Sequence, residues 1–414
     1  MPDVCSRDER EAGSARRDDA RWSATSAPHR PLTGGLLGVL FAANLVSASG
    51  MHVYTAMLEV IARGFHVSTS VLGWIPTASM LGFVSGLLLL APLADLMDKK
   101  RLIVTQMALE ITVLAIMTAA TQLWMIVVFN FLAGMTASTS QHVLTMAAQL
   151  ASPERRGRAM GIVLSGMLLG ILTGRLCGGV VAHFLGWRAG FGFAMLLATA
   201  VLPVVVKVLP AVQASSKLRY PALLWSLVAV YRRHSVLRRV SRVQALLGIG
   251  YGGFWATLAP MLAAVHHAGS DVAGLMGIPG AAGVLIAAPV GRWVDRSGPA
   301  RAVLAGALLV AAAYAAFGFA TFTIAAVVLG AMLLDTGIRS SLVANQSFLA
   351  GIDAAARARV NMLFMLHAFV GNGIGALAAS NALAYAGWRG VVAVGLTSAV
   401  CAAVLNRWSR TVSG

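Results

Sequence analysis

From Gly34 onward the chain runs as long apolar stretches divided by short polar breaks, and the stretches do not alternate residue by residue. A hydrocarbon core about 30 Å thick takes roughly 20 helical residues. Strands crossing the same core would alternate apolar and polar positions, so this pattern predicts helices that satisfy their own backbone groups. They are expected at about 33–58, 69–91, 102–121, 124–148, 159–183 and 189–209, spans 1 to 6. After a basic connector, spans 7 to 12 are expected at about 241–265, 272–290, 302–320, 323–348, 360–384 and 390–406. The predicted fold class is an all-α membrane protein with twelve transmembrane helices in two pseudo-symmetric six-helix bundles.

Polar segments frame the two bundles. Residues 1–32 mix Arg7, Asp8, Glu9, Arg10 and Glu11 with Ser, Ala and Gly and read as a disordered cytoplasmic tail. The first bundle is expected over 33–209, the connector over 210–240, the second bundle over 241–406 and a short tail over 407–414. Within the connector, Tyr220 to Tyr231 is too short to span but apolar enough to lie at the interface, with Arg232 and Arg233 reaching lipid phosphates.

The halves echo one another. Asp95 matches Asp295 at an offset of 200, while Arg158 matches Arg359, Gly170 matches Gly371, Gly174 matches Gly375, and Gly186-Trp187-Arg188 matches Gly387-Trp388-Arg389 at an offset of 201. Two parallel six-helix repeats about an axis normal to the membrane form an architecture of secondary transporters.

Composition excludes other classes. The 414 residues are 58% hydrophobic and 11% charged, more than a water-soluble core can hide. The net charge of +17 invites a nucleic-acid reading until the charges are placed. Lys99, Lys100, Arg101, Arg155, Arg156, Arg158, the connector arginines, Arg292, Arg296, Arg301, Arg357 and Arg359 all fall on the side of the termini, and the opposite side receives only Arg63, Arg188 and Arg389. Cytoplasmic loops carry such an excess, so both termini are expected in the cytoplasm and no nucleic-acid partner is expected. Cys5, Cys177 and Cys401 form no metal or disulfide spacing, and no nucleophile, base and orienting group stand together, so neither a metal, a cofactor nor an enzymatic activity is expected.

Two loops and one glycine run carry a family resemblance. Pro92-Leu93-Ala94-Asp95 with Lys99-Lys100-Arg101, and again Gly291, Asp295, Arg296, Gly298 and Arg301, resemble the loop signature of the major facilitator superfamily. Ser152 to Met160 resembles that family's loop before span 5, and Gly170, Gly174, Gly178 and Gly179 resemble its span 5 antiporter motif, with Arg175 where the family usually has proline. The resemblance implies the drug-proton antiporter-like branch: a cell (inner) membrane protein, monomeric, exporting a small organic solute in exchange for protons by alternating access. Proton-linked uptake or facilitated diffusion is the alternative within transport, and a non-transporting sensor or scaffold the alternative outside it. The resemblance also implies a gate in which Asp95 meets the start of span 11 near Arg359, and Asp295 meets span 5 near Arg158. The physical basis is a carboxylate at the positive end of a helix, and a solvated charged turn is the other reading.

Charges at membrane depth are costly and face a bundle interior or a water-filled cavity. Asp335 and Arg339 lie one helical turn apart with Gln346 continuing their face, and fit either a substrate or proton site or a self-neutralised pair. Arg175 suits an anionic substrate group or a carboxylate partner. Glu110 is expected to hydrogen-bond a neighbouring helix. Span 4 carries Asn130, Gly134, Ser138, Gln141 and Thr145, plus His142, a polar stripe that fits a cavity wall. His52 is a hydrogen-bonding residue or a proton carrier. Trp255 and Tyr251 either stack on substrate or pack. Gly166, Gly170, Gly174 and Gly178 clear one face for a close helix neighbour, static or sliding.

Overall fold

A computed structural model describes residues 33–152, 154–212, 220–280, 298–349, 351–353 and 356–411. Every regular element among them is helical. Ten helices are long and apolar enough to cross a membrane: Gly34–Ala56, Thr69–Ala94, Lys99–Thr118, Leu123–Leu150, Arg156–Leu185, Trp187–Val208, Ser235–His266, Pro299–Phe317, Ile324–Leu349 and Arg357–Asn406. The last is broken at Gly387 (φ 63°, ψ −159°) and supplies spans 11 and 12. Span 8 is described from Ser270 to Gly280.

The chain punctuates these helices by local chemistry. Span 1 opens on Thr33, whose hydroxyl accepts from Leu36 N at 3.3 Å, tightens into a 3₁₀ turn at Val53–Ala56 and continues as Leu58–Phe65. Span 3 opens on Asp98, whose Oδ1 accepts from Lys100 N at 2.9 Å and from Val212 N at 3.1 Å, tying the chain after span 6 to its start. Pro299 stands in the first turn of span 9, after Gly298 at φ 83°.

The repeat seen in the sequence reappears in backbone geometry. His66 and His267 both end a helix in the left-handed region (φ 54° and 52°), and Gly186 and Gly387 both turn at positive φ before the next span. Glycines of spans 5 and 11 then lie against carbonyls of spans 1 and 7. A β-carbon on Gly170 would meet Leu45 O, and one on Gly371 would meet Ala245 O. Likewise Gly174 faces Ser49 O and Gly375 faces Ile249 O. These contacts lie within each set of six spans, where the glycines let neighbouring helices approach closely.

Two buried apolar clusters lie among spans 1 to 6, one around Tyr54, Ile61 and Phe191 and one around Leu40, Met107 and Val163. A larger one centred on Phe254, Tyr314 and Phe317 fills spans 7 to 12. The halves touch along spans 2 and 11, where Phe83 and Leu87 share an apolar cluster with Met362, Met365 and Phe369, and by hydrogen bonds on the side away from the termini. Thr77 Oγ1 lies 2.8 Å from Gly373 O of span 11 and 2.7 Å from Gly73 O of its own span, its single proton shared between them, and Ser270 Oγ donates to Gly179 O at 2.8 Å, joining spans 8 and 5.

Candidate functional site

Below those contacts lies a cavity of about 1230 Å³, counting the part continuous with solvent. Spans 1, 2, 4, 5, 7, 10 and 11 contribute to its wall. Most of that wall is apolar and deformable, with Met51, Met80, Met167 and Met365 beside Phe83 and Phe369. Unbranched thioethers reshape around different ligands at little cost.

One region of the wall is charged. Arg175 of span 5 reaches across to span 7, where its guanidinium carbon lies 3.6 Å from the centroid of the Trp255 ring. The side chain is 5% exposed, and its Nε has no hydrogen-bond partner among the described residues. A β-carbon on Gly277 would sit 3.7 Å from both Cβ and Cδ of Arg175, so the start of span 8 lies along its stem. A desolvated cation–π contact contributes about 2 kcal/mol. A guanidinium at membrane depth costs about 2.5–3.5 kcal/mol even on the lenient insertion scale. The stack offsets part of that cost and leaves a positive charge in want of an anion.

Asp335 and Arg339 of span 10 stand beside it. Their closest nitrogen and oxygen are 3.8 Å apart, close enough to attract and too far to hydrogen-bond. Asp335 is 2% exposed, and its Oδ2 and the Arg339 Nε lack hydrogen-bond partners among the described residues. A β-carbon on Gly280 would lie 3.0 Å from Asp335 Oδ2 and 2.9 Å from Trp255 Cζ2, so carboxylate, indole and span 8 converge at one point. Arg175 and Arg339 line the cavity, and no aspartate or glutamate lines it among the described residues.

Neutral polar groups complete the wall. His52 Nδ1 donates to Ala48 O at 2.9 Å, which places a proton on Nδ1 and leaves Nε2 free to meet a ligand. Asn372 lines the cavity with its amide nitrogen set by the local network, donating to Gly248 O at 3.0 Å and Ala368 O at 3.3 Å. Gln244 accepts from Asn345 Nδ2 at 3.1 Å, joining spans 7 and 10. Sequence reasoning missed Gln244, Asn345 and Asn372. Their signal was an amide within an apolar span, and only the fold brings the three spans together.

Several expected site residues stand elsewhere. The span 4 stripe does not line the cavity. Asn130 Nδ2 donates to Ile126 O at 2.9 Å, Gly134 packs on Ser79 O of span 2, and Ser138 accepts from Gln106 Nε2 of span 3 at 3.0 Å. Gln141 and His142 are likewise absent from the wall, which span 4 builds from Ala137 and Ser140. The reason is a break: Ser138 N bonds Met135 O and Gln141 N bonds Ser138 O, a tightening that rotates the register away from a continuous 3.6-residue period. Gln346 donates to Asn361 Oδ1 at 3.1 Å in span 11 and does not line the cavity. Glu110, 1% exposed, has no hydrogen bond on either oxygen among the described residues, contrary to the expected interhelical bond.

The charged loops are only partly described. Asp295 and Arg296 lie outside the described residues, as does the side chain of Asp95. Arg101, Arg158 and Arg301 are exposed, and Arg359 is half-buried.

Comparison with known proteins gives consistent matches. Residues 39–362 match the family model of the Major Facilitator Superfamily. The chain is 32% identical over 374 residues to the putative uncharacterized transporter YgaY of Escherichia coli K12, covering 90% of this chain and 95% of that one. It is 27% identical to a probable transporter of Streptomyces coelicolor, over 84% of this chain and 81% of the other. Among solved structures, a bacterial homolog of the human lysosomal transporter Spinster, inward-facing and unoccupied, superposes with a TM-score of 0.74 at 17% identity, covering 92% of this chain and 97% of that one.

Proposed function

Since the chain belongs to the major facilitator superfamily and is a multi-pass transporter of that type, we propose that it carries a small organic solute through the central cavity by proton-coupled alternating access. The observation that carries this reading is the cavity itself. Both halves line it, and the contacts that close it on one side include the Thr77–Gly373 and Ser270–Gly179 hydrogen bonds, the Arg175–Trp255 stack and the close approach of Gly274 to Arg175 O. Such contacts between halves can form in one state and break in the other.

The membrane is the cell (inner) membrane with both termini in the cytoplasm, a placement supported by the distribution of Lys and Arg. The protein works as a monomer. Asp335 is assigned the proton, supported by its burial beside two guanidiniums that line the substrate cavity. Asp95 and Asp295 with Arg158 and Arg359 are assigned the opposite gate, on the strength of the loop motifs alone. Efflux in exchange for protons is supported by the glycine motif of span 5. Proton-linked uptake is the second reading, and the excess of guanidinium over carboxylate around the cavity favours it, because a proton on Asp335 would strengthen rather than oppose capture of an anion.

Right-side-out and inverted vesicles carrying the protein, loaded with labelled solutes and given an imposed pH gradient, test both. Net movement in one orientation assigns the direction. Absence of gradient-driven movement in both orientations, with alanine tolerated at Asp335, Arg339 and Arg175, would instead support a sensor or scaffold.

A further inference from the structure

We propose that the cargo is an organic anion, an apolar planar body carrying one carboxylate or similar acid, with its charge held by Arg175. The inference rests on the transport reading and narrows its substrate class.

Charge comes first. Among the described residues the cavity wall presents two guanidiniums and no carboxylate, and the nearest carboxylate, Asp335, is already committed to Arg339 at 3.8 Å. Asp335 also faces Arg175, so one carboxylate meets two guanidiniums and a net positive charge remains, with Arg175 buried and its Nε unbonded among the described residues. Removing a charge from water without a partner is unfavourable, and a chain that retains one there gains when a ligand supplies the partner.

Geometry comes second. The Trp255 ring covers one face of the Arg175 guanidinium, which leaves the N–H edge as its bonding direction. A planar fork presented edge-on suits the two oxygens of a carboxylate better than a point charge would. The remaining wall is mostly apolar, Met51, Met167 and Phe369 among it, with His52, Gln244 and Asn372 as neutral polar groups, which suits a largely apolar body. The arginine occupies a position where the related motif has proline, so the feature belongs to this chain rather than to the motif.

A matched set of three probes tests the assignment on the purified full-length protein: 2-naphthoate, 2-naphthamide and 2-naphthylmethylammonium, nearly the same shape with charges −1, 0 and +1. Thermal-unfolding shifts and equilibrium binding are expected to favour 2-naphthoate at least tenfold over both others. Arg175→Gln should remove that preference and Arg175→Lys should keep part of it; if either variant fails to fold, the comparison of the three probes on the native protein still decides.

Equal or tighter binding of the amide or the ammonium overturns the proposal, and so does an absence of 2-naphthoate binding. The transport reading fails separately. If 2-naphthoate binds through Arg175 but never enters proteoliposomes under any gradient, the anion site stands and transport falls; if the ammonium probe is carried instead, transport stands and the anion assignment falls.

Discussion

The carboxylate of Glu110 in span 3 sits in the notch that Gly50 leaves in span 1, so that a β-carbon on Gly50 would collide with Glu110 Oε1. Neither oxygen of Glu110 hydrogen-bonds among the described residues, and the side chain is almost fully buried. Gly50→Ala must push that carboxyl aside at an overpacking cost of about 1–3 kcal/mol. Glu110→Ala empties the notch. The double variant should therefore be more stable than the sum of the singles, by about 0.5–3 kcal/mol of coupling. Thermal midpoints of the four proteins in detergent measure this, and strict additivity would show that the two residues do not meet.

The contacts between halves make a second expectation. Thr77→Val removes the hydrogen bond to Gly373 O while nearly keeping side-chain volume, and Ser270→Ala removes the one to Gly179 O. A bond of this kind contributes about 0.5–1.5 kcal/mol net, so either change should shift the open-to-closed ratio on that side by about 2- to 12-fold. Cysteines introduced at cavity positions such as Ala48 report the shift through their labelling rate by an impermeant reagent from the side away from the termini. Labelling unchanged in both variants would remove these bonds from the gate.

Asp98 carries a third expectation. It accepts from Lys100 N and Val212 N at once, capping span 3 and pinning the segment that leaves span 6. Asp98→Ala leaves two backbone donors short of an acceptor and should cost about 1–2 kcal/mol, whereas Asp98→Asn keeps the capping oxygen and most of the stability. Proteolysis of the connector reports the same loss locally: it should quicken in the alanine variant and hold near the native rate in the asparagine variant.

That aspartate also marks how far the sequence could be read. Against the loop motif Asp98 looks like a departure, and only the returning chain at Val212 shows the job it does. Features set by local pattern were legible: the apolar spans, the turn glycines Gly186 and Gly387, and the paired glycine faces of spans 5 and 11. Helix-wheel reasoning failed where a helix departs from its period. The tightening at Ser138 turned Gln141 and His142 away from the cavity, Asn130 spends its amide on Ile126 O of its own helix, and Gln346 bonds Asn361. The Arg175–Trp255 stack joins spans 5 and 7, residues eighty positions apart in the chain, and no spacing rule foretells such a contact. Charge at membrane depth, at Arg175, Asp335 and Arg339, was legible in the sequence because the cost of such groups does not depend on register.

On the uptake reading, the same charges give the sign of coupling. Facing Asp335 are Arg339 from its own span, Arg175 from span 5, Tyr251 and Trp255 from span 7 and Gly280 from span 8. A proton on Asp335 cancels its charge and releases Arg339, so both guanidiniums become available and an anion binds more tightly; by reciprocity, a bound anion disfavours the neighbouring carboxylate charge and draws the proton in. Proton and anion then load together and cross in one direction. Right-side-out vesicles with acid outside should accumulate 2-naphthoate severalfold over the neutral-gradient level. In Asp335→Asn that accumulation should vanish while exchange of internal for external 2-naphthoate persists, since the asparagine variant still binds and still rocks. An antiporter would behave the other way, with the imposed acid exterior driving the anion out, and that result would return the protein to the efflux reading and separate Asp335 from the proton it is assigned here.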